Sequence, residues 1–387
     1  MKNQHDDAYC TINSGEACGK LGISRDTLYA YVSRGFVRAI AHPGDARKSL
    51  YDRRDVETLL HRKKRGRSRQ AVAESTINWG EPVLASKVTR IADGMFYYRG
   101  KNAVELSENW SLEEVLELIS GVRQKVPTLA HSDSASSNHP LPFNRILCMM
   151  AGRAASNSKG DGRSAARMLL RLTALSASGK PDIPNLPIHE LLSRAWAKGI
   201  RSNGTDPSDI IRRALVLCAD HELNASTYAT RVAASAGASL SASLLAGLAT
   251  LSGSKHGGST TRCRTWMDEI EGNSPAQDRS TLSLAGKPPP GFGHPLYPDG
   301  DPRAKALLCA CQVPASWKEI IEGVFIETGV HPTLDFALAF LERDLRLPKG
   351  AGLGIFAVGR TAGWIAHIFE QRESGQLIRP RATVGGE

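Results

Sequence analysis

The sequence predicts a mainly α-helical protein in which a short basic front end of helix, turn, helix and wing precedes a long helical body. Three observations lead there. Apolar residues recur at helical spacing from Leu112 to Val122, Ser164 to Ala177 and Ile188 to Lys198. Strand-like alternation is sparse after Tyr98, and small residues are frequent enough for close helix packing. At 387 residues, 41% hydrophobic and 23% charged, the chain has an ordinary globular composition with room for two or three domains.

In the front end, Ser14 is placed to cap a helix carrying Ala17 and Leu21, and Gly22 permits a tight turn. Ser24 is placed to cap a second helix with Asp26 in its first turn. Leu28 and Val32 share one face of that helix, while Arg25 and Thr27 sit near its exposed N-terminal end, where base edges would be contacted. This is helix-turn-helix geometry. Pro43-Gly44-Asp45 marks the tip of a hairpin-like wing, and a further helix is predicted from Tyr51 to His61. The order resembles the winged DNA-binding domains of the MerR and excisionase group, particularly Thr27-Leu28-Tyr29-Ala30-Tyr31-Val32 and Ser49-Leu50-Tyr51-Asp52. That resemblance implies phosphate contacts from Arg47, Lys48, Arg53 and Arg54, with double-stranded DNA as a partner. Charge agrees: residues 1–70 hold 15 Lys and Arg against 8 Asp and Glu, a net +7 of the whole chain's +10. A protein-interaction module with exposed basic residues is the alternative.

Seven cysteines, odd in number and without a CxxC pair, suit reduced and mostly buried thiols, so a cytoplasmic location is expected. The opening Met1-Lys2-Asn3-Gln4 has no apolar stretch of the signal-peptide kind. From Val232 to Ser254 the chain is uncharged and long enough to span a bilayer. It lacks the Leu, Ile, Val and Phe density that favours insertion, so a closely packed interior or interface helix is predicted, with no membrane partner.

Three stretches of the second half place ionisable side chains in settings that chemistry demands more than folding does. They are Lys255-His256-Gly257-Gly258, Gly291-Phe292-Gly293-His294 followed by Asp301-Pro302-Arg303, and Pro332-Thr333-Leu334-Asp335-Phe336. The glycines permit unusual backbone angles and close ligand approach. Two histidines and an aspartate supply two hydrogen-bonding acids and one base, a set suited to drawing a proton from carbon and stabilising the enolate. Carbon–carbon bond formation is the expected chemistry. Any one of these residues alone would be read as a structural hydrogen-bonding group; their ordered co-occurrence changes that reading.

Four further segments accompany them: Tyr97-Tyr98-Arg99-Gly100, Asp220-His221-Glu222-Leu223-Asn224-Ala225-Ser226-Thr227, Gly359-Arg360-Thr361-Ala362-Gly363-Trp364-Ile365-Ala366-His367, and Arg379-Pro380-Arg381. Together, from about Trp79 onward, they resemble the citrate synthase family. The resemblance implies a two-domain helical body, with a large domain at 77–257 and 346–387 and a small one at 258–345, closing around substrate as a homodimer. The winged unit would occupy 1–64 and a basic linker 65–76.

The resemblance also implies condensation of oxaloacetate with acetyl-CoA to citrate and CoA, the acyl-CoA being a co-substrate, with no tightly bound cofactor and no metal. Asp335 would be the base, His256 the donor to the thioester oxygen, and His294 the group polarising the ketone. His221, Arg303 and Arg360 would bind oxaloacetate, whose two carboxylates call for fixed guanidinium groups. Arg379 would reach across the dimer interface, and Pro288 to Phe292 stand where the family contacts the adenine of CoA. The chain departs from the family pattern in Lys255, in Ser259-Thr260 where Ala-Asn or Ala-Asp is frequent, and in Pro295-Leu296-Tyr297 where a basic residue is common. His331 and His367 are expected to be structural. Two rivals remain: 2-methylcitrate synthase using propionyl-CoA, since one methylene changes discrimination by only about 1–3 kcal/mol, and a DNA-binding regulator keeping the fold as a metabolite sensor.

Overall fold

The computed structural model describes residues 11–33, 36–42, 44–45, 48–64, 84–123, 138–156, 162–197, 206–272 and 287–380. The chain divides into two compact units, Met1–Ala85 and Ser86–Glu387. The linker predicted at 65–76 lies outside the described residues.

The first unit runs β1 (Thr11–Asn13), α1 (Ser14–Leu21), α2 (Arg25–Ser33), β2 (Ala39–Ala41), β3 (Ser49–Asp52) and α3 (Arg53–Lys64). Asn13, not Ser14, caps α1: its side chain accepts the Glu16 N–H at 2.9 Å while the Glu16 carboxylate accepts the Asn13 N–H at 3.2 Å. Gly22 ends the helix at φ 58°, and Ser24 accepts the Thr27 N–H at the start of α2. β3 lies between β1 and β2 and is antiparallel to both. The third helix begins at Arg53 instead of Tyr51, because Tyr51 and Asp52 stay in the strand, paired with Ile12 and Thr11. Ala17, Leu21, Leu28, Tyr51 and Val56 close a small separate core. Arg38 ties β3 to α3 through Asp52 at 2.8 Å and Asp55 at 2.9 Å.

The second unit opens with an antiparallel sheet of β4 (Thr89–Ala92), β5 (Met95–Tyr98) and β6 (Lys101–Asn102). Helices then follow: α4 (Ala103–Asn109), α5 (Leu112–Ser120), α6 (Pro142–Ala155), α7 (Arg163–Ser178), α8 (Ile188–Trp196), α9 (Pro207–Cys218), α10 (Ala225–Ser235), α11 (Leu240–Leu251), α12 (Gly258–Gly272), α13 (Pro302–Cys311), α14 (Ala315–Thr328), α15 (Leu334–Asp344) and α16 (Ala351–Ser374). The three apolar patterns of the sequence are α5, α7 and α8. The uncharged stretch from Val232 to Ser254 covers the end of α10 and all of α11, packed so closely that a side chain at Gly247 would strike Thr230 and Trp364. Among the described residues only α16 is long and apolar enough to cross a membrane, and 94% of its apolar window is buried inside the unit. It is the central core helix, against which α5, α7, α9 and α10 pack.

Candidate active site

The site begins where α9 ends. The Tyr98 hydroxyl donates to the Val216 carbonyl at 2.9 Å and accepts the Asp220 N–H at 3.2 Å, which fixes the turn carrying His221. Gly359 and Gly363, one helical turn apart on α16, let this turn approach very closely: a Cβ on Gly359 would lie 2.6 Å from the Leu215 carbonyl oxygen, and one on Gly363 would lie 2.3 Å from that of Ala219. Between the two glycines stands Arg360. It is 1% exposed, its Nε donates to the Cys218 carbonyl at 2.9 Å, and its guanidinium lies 4.8 Å over the Phe356 ring. Its Nη1 is buried without a protein partner.

His256 follows α11 in a tight turn. Gly257 serves it by close approach instead of by an unusual angle: its N–H donates to the Leu251 carbonyl at 2.9 Å, and a Cβ there would lie 2.4 Å from that oxygen. The His256 ring packs edge-on against Phe356 at 6.2 Å, so one phenylalanine supports both His256 and Arg360. His256 Nε2 lies 2.8 Å from the Ser226 hydroxyl at the start of α10.

Gly291 and Gly293 do adopt positive φ, at 85° and 79°, as the sequence implies. Their loop pairs with the strand-like approach to α15: Gly293 N–H donates to the His331 carbonyl at 2.9 Å and Thr333 N–H to the Gly291 carbonyl at 2.8 Å. The loop carrying His294 is thereby held against the segment that leads into Asp335. His294 Nδ1 accepts the Leu296 N–H at 3.2 Å. A backbone N–H can only donate, so neutral His294 carries its proton on Nε2. Asp301, 2% exposed, receives Arg303 Nε at 2.9 Å and Nη2 at 2.8 Å and the Leu334 N–H at 3.0 Å. One carboxylate thus orients an arginine and the first residue of α15, immediately before Asp335.

These pieces converge. The His221 and His294 rings meet edge to face at 5.4 Å, and the Tyr297 hydroxyl lies 2.8 Å from His221 Nε2. The Arg303 guanidinium lies 5.5 Å over Tyr297, and its charge acts on His221, His294 and Asp335. The Arg360 charge acts on His221 and His256. Six predicted residues therefore share one neighbourhood: His221, His256, His294, Arg303, Asp335 and Arg360. The three residues predicted to react, His256, His294 and Asp335, are half-buried, whereas His221, Arg303 and Arg360 are buried.

Burial sets the protonation states. It lowers His256 to about 4, helped by Arg360, and His294 to about 4, helped by Arg303. His221 is held well below the ordinary histidine value by burial and by Arg303 and Arg360. All three imidazoles are neutral at pH 7 and act as hydrogen-bonding groups, not as cations. Asp335 moves the other way, raised by burial against the opposing pull of the Thr260 hydroxyl, which donates to Oδ1 at 2.5 Å, and of Arg303.

Arg379 is exposed and takes no part in the contacts of this cluster. His367, fully buried, bonds Asp220 at 3.2 Å, and His331 stacks on Phe325 at 4.5 Å. Ser226, Thr260, Tyr297 and Phe356 enter the site without having been predicted in those roles. Their only signal in the sequence is proximity to the motifs, since each is defined by the partner that tertiary packing delivers. In the first unit Arg25 is exposed and Thr27 Oγ1 lies 2.9 Å from Ser24 Oγ. Lys48 pairs with Asp45 at 3.1 Å and Arg53 with Glu57 at 3.3 Å, exposed pairs that are weak enough to yield to a phosphate. Arg47 and the side chain of Arg54 lie outside the described residues.

Residues 135–381 match the profile of the citrate synthase C-terminal domain. Citrate synthase 2 of Bacillus subtilis is 30% identical over 351 residues, spanning 79% of this chain and 94% of that protein. 2-Methylcitrate synthase 2 of Corynebacterium glutamicum is 30% identical over 220 residues, 54% of this chain and 57% of that protein. The ternary complex of carboxymethyl coenzyme A and oxaloacetate with citrate synthase from Thermoplasma acidophilum shares the fold at TM-score 0.64 and 22% identity, covering 79% of this chain and 94% of that one.

Proposed function

The chain belongs to the citrate synthase family, and from that premise we propose that it condenses oxaloacetate with acetyl-CoA and water to give citrate and CoA. The observation that carries this reading is a raised carboxylate, Asp335, in the same neighbourhood as two neutral half-buried imidazoles and a buried guanidinium edge with no protein partner.

Each group has one task. Asp335 takes a proton from the thioester methyl while His256 donates a hydrogen bond to the thioester oxygen, so that the electron pair released at carbon is held as an enol. That carbon attacks the oxaloacetate ketone, whose oxygen accepts from His294 Nε2–H. Water then hydrolyses the citryl thioester. His256 is competent only as the tautomer whose proton faces the substrate, which requires Ser226 to donate to Nε2. The same hydroxyl lies 2.8 Å from Asn224 Oδ1, so its rotation between these two acceptors selects the tautomer. Arg303 and Arg360, with His221, hold the oxaloacetate carboxylates, and Arg379 is contributed by the partner of a homodimer. His294, Arg303 and Asp335 come from segment 258–345 and the others from the rest of the body, so closure of that segment as a small domain would assemble the site.

The relationship to a 2-methylcitrate synthase favours propionyl-CoA as the second acyl donor. Steady-state CoA release with acetyl-CoA and propionyl-CoA side by side is the test: higher kcat/KM for acetyl-CoA is expected, a reversed order assigns the chain to the propionyl reaction, and no release with either rejects both.

For the first unit we propose a winged helix-turn-helix that binds double-stranded DNA. Supporting it are two helices around Gly22, an antiparallel β2–β3 wing and an exposed Arg25 at the start of α2. Affinity for duplex DNA is expected to fall about 10³-fold or more from 50 to 200 mM salt, for six or more phosphate contacts. Binding that ignores salt, or no binding to any duplex, would leave the protein-interaction reading.

A further inference from the structure

The C-terminal tail is tied to the body through the side chains of Gln371 and Ser235. Gln371, 2% exposed on α16, accepts from Arg231 Nε at 2.9 Å through Oε1 and donates from Nε2 to the Gln376 carbonyl at 2.8 Å. A guanidinium only donates and a carbonyl only accepts, so the amide has a single orientation with both ends engaged. Arg231 is in turn held by Glu370 at 3.0 Å, and Glu370 accepts the Lys87 N–H at 2.7 Å. Two residues beyond Gln376, Ile378 N–H donates to Ser235 Oγ at 3.1 Å. Arg379 comes next.

These anchors fix where the tail leaves the body. Ser235 ends α10, the helix whose first turn presents Ser226 to His256, and the helical rise puts the two serines roughly 13 Å apart. The tail therefore departs from the far end of α10, away from its own His256 and in keeping with an arginine that serves a neighbour.

We infer that Gln371 is a positioning residue for Arg379: by clamping Gln376 against the buried Arg231, it sets the direction from which the tail delivers that guanidinium to oxaloacetate in the partner protomer. This rests on the reading of Arg379 as the residue exchanged between protomers. Gln371→Glu isolates the claim, because a carboxylate keeps the bond to Arg231 while presenting only acceptors to the Gln376 carbonyl. Ser235→Ala removes the second anchor from a partly exposed position and leaves the core intact.

The experiment is steady-state kinetics on the full-length protein with oxaloacetate varied at saturating acetyl-CoA, for Gln371→Glu, Ser235→Ala, Arg379→Gln and the Gln371→Glu/Arg379→Gln double variant. Arg379→Gln is expected to raise the oxaloacetate KM. Gln371→Glu should raise it about tenfold and Ser235→Ala about threefold, each with kcat within about twofold, the signature of lost uniform binding. The double variant should be no worse than Arg379→Gln alone, since both act through one contact. An unchanged KM in both anchor variants beside a raised KM in Arg379→Gln overturns the inference, as does an additive double variant. A wild-type KM in Arg379→Gln overturns the reading of Arg379 itself. Should Gln371→Glu fail to fold, Ser235→Ala decides.

Discussion

Replacing Asp335 by alanine is expected to slow CoA release from acetyl-CoA and oxaloacetate by about 10³-fold, within the range a positioned general base contributes. Oxaloacetate affinity, measured by calorimetry, should stay within about twofold. The two halves of this result have separate physical origins. A thioester methyl is a very weak carbon acid, and burial raises Asp335 toward the proton affinity that abstraction needs, while the Thr260 hydroxyl at 2.5 Å keeps one carboxylate oxygen fixed. On the proposed reading oxaloacetate is held by arginines whose geometry does not depend on this carboxylate: Arg303 is fixed by Asp301 and Arg360 by the Cys218 carbonyl. Removal of a half-buried carboxylate that pays a desolvation cost also leaves the fold without an orphaned charge. Wild-type turnover by the variant would reject Asp335 as the base, and loss of oxaloacetate binding would place it among the substrate ligands instead.

The sequence pointed to the candidate reactive groups because the chemistry proposed for them requires unusual company. His256 and His294 stand beside glycines, and Asp335 stands among apolar residues that folding alone would not mix with a carboxylate. Arg303 and Arg360 were legible only through the family resemblance of their segments. Hidden were the residues whose role is a hydrogen bond across the chain. Ser226 meets His256 and Thr260 meets Asp335 only after α10, α12 and α15 have packed. Asp301 was visible within its motif, but its second duty, receiving the Leu334 N–H, depends on the loop pairing between Gly291 and Thr333. Local competition explains the smaller misreadings. Asn13 and Ser14 are both good caps, and the reciprocal bond with Glu16 selects Asn13. Tyr51 has helical neighbours in sequence, yet pairing with Ile12 on one side and Ala39 on the other keeps it in the sheet.

Arg360→Met should raise the oxaloacetate KM by about 10²-fold, from the loss of charge-assisted hydrogen bonds worth about 1.5–3 kcal/mol each at 1.4 kcal/mol per decade. The two site arginines are not equivalent. Arg303 is already engaged by the Asp301 carboxylate through two bonds, whereas Arg360 is hydrogen-bonded to a neutral carbonyl and stacked on Phe356, with Nη1 buried and unpartnered. The acid acting on it, Asp220, is bonded by Thr89 at 2.6 Å and His367 at 3.2 Å through Oδ2 alone, its Oδ1 is buried without a protein partner, and it makes no hydrogen bond to Arg360. A guanidinium in that state is costly in the free protein and repaid when a substrate carboxylate arrives. Thermal unfolding separates the two effects. In the wild type, oxaloacetate at a hundred times its Kd should stabilise the fold by about 2.7 kcal/mol. In Arg360→Met the Tm without ligand should change little, because relief of the buried guanidinium offsets the cation that Asp220 loses and methionine fills the space along Phe356, while the same oxaloacetate concentration, now near the variant's Kd, should give only about a sixth of the wild-type Tm shift. If the variant keeps the full shift, the free guanidinium edge is not where the carboxylate binds, and Arg303 must carry that contact despite its engagement with Asp301.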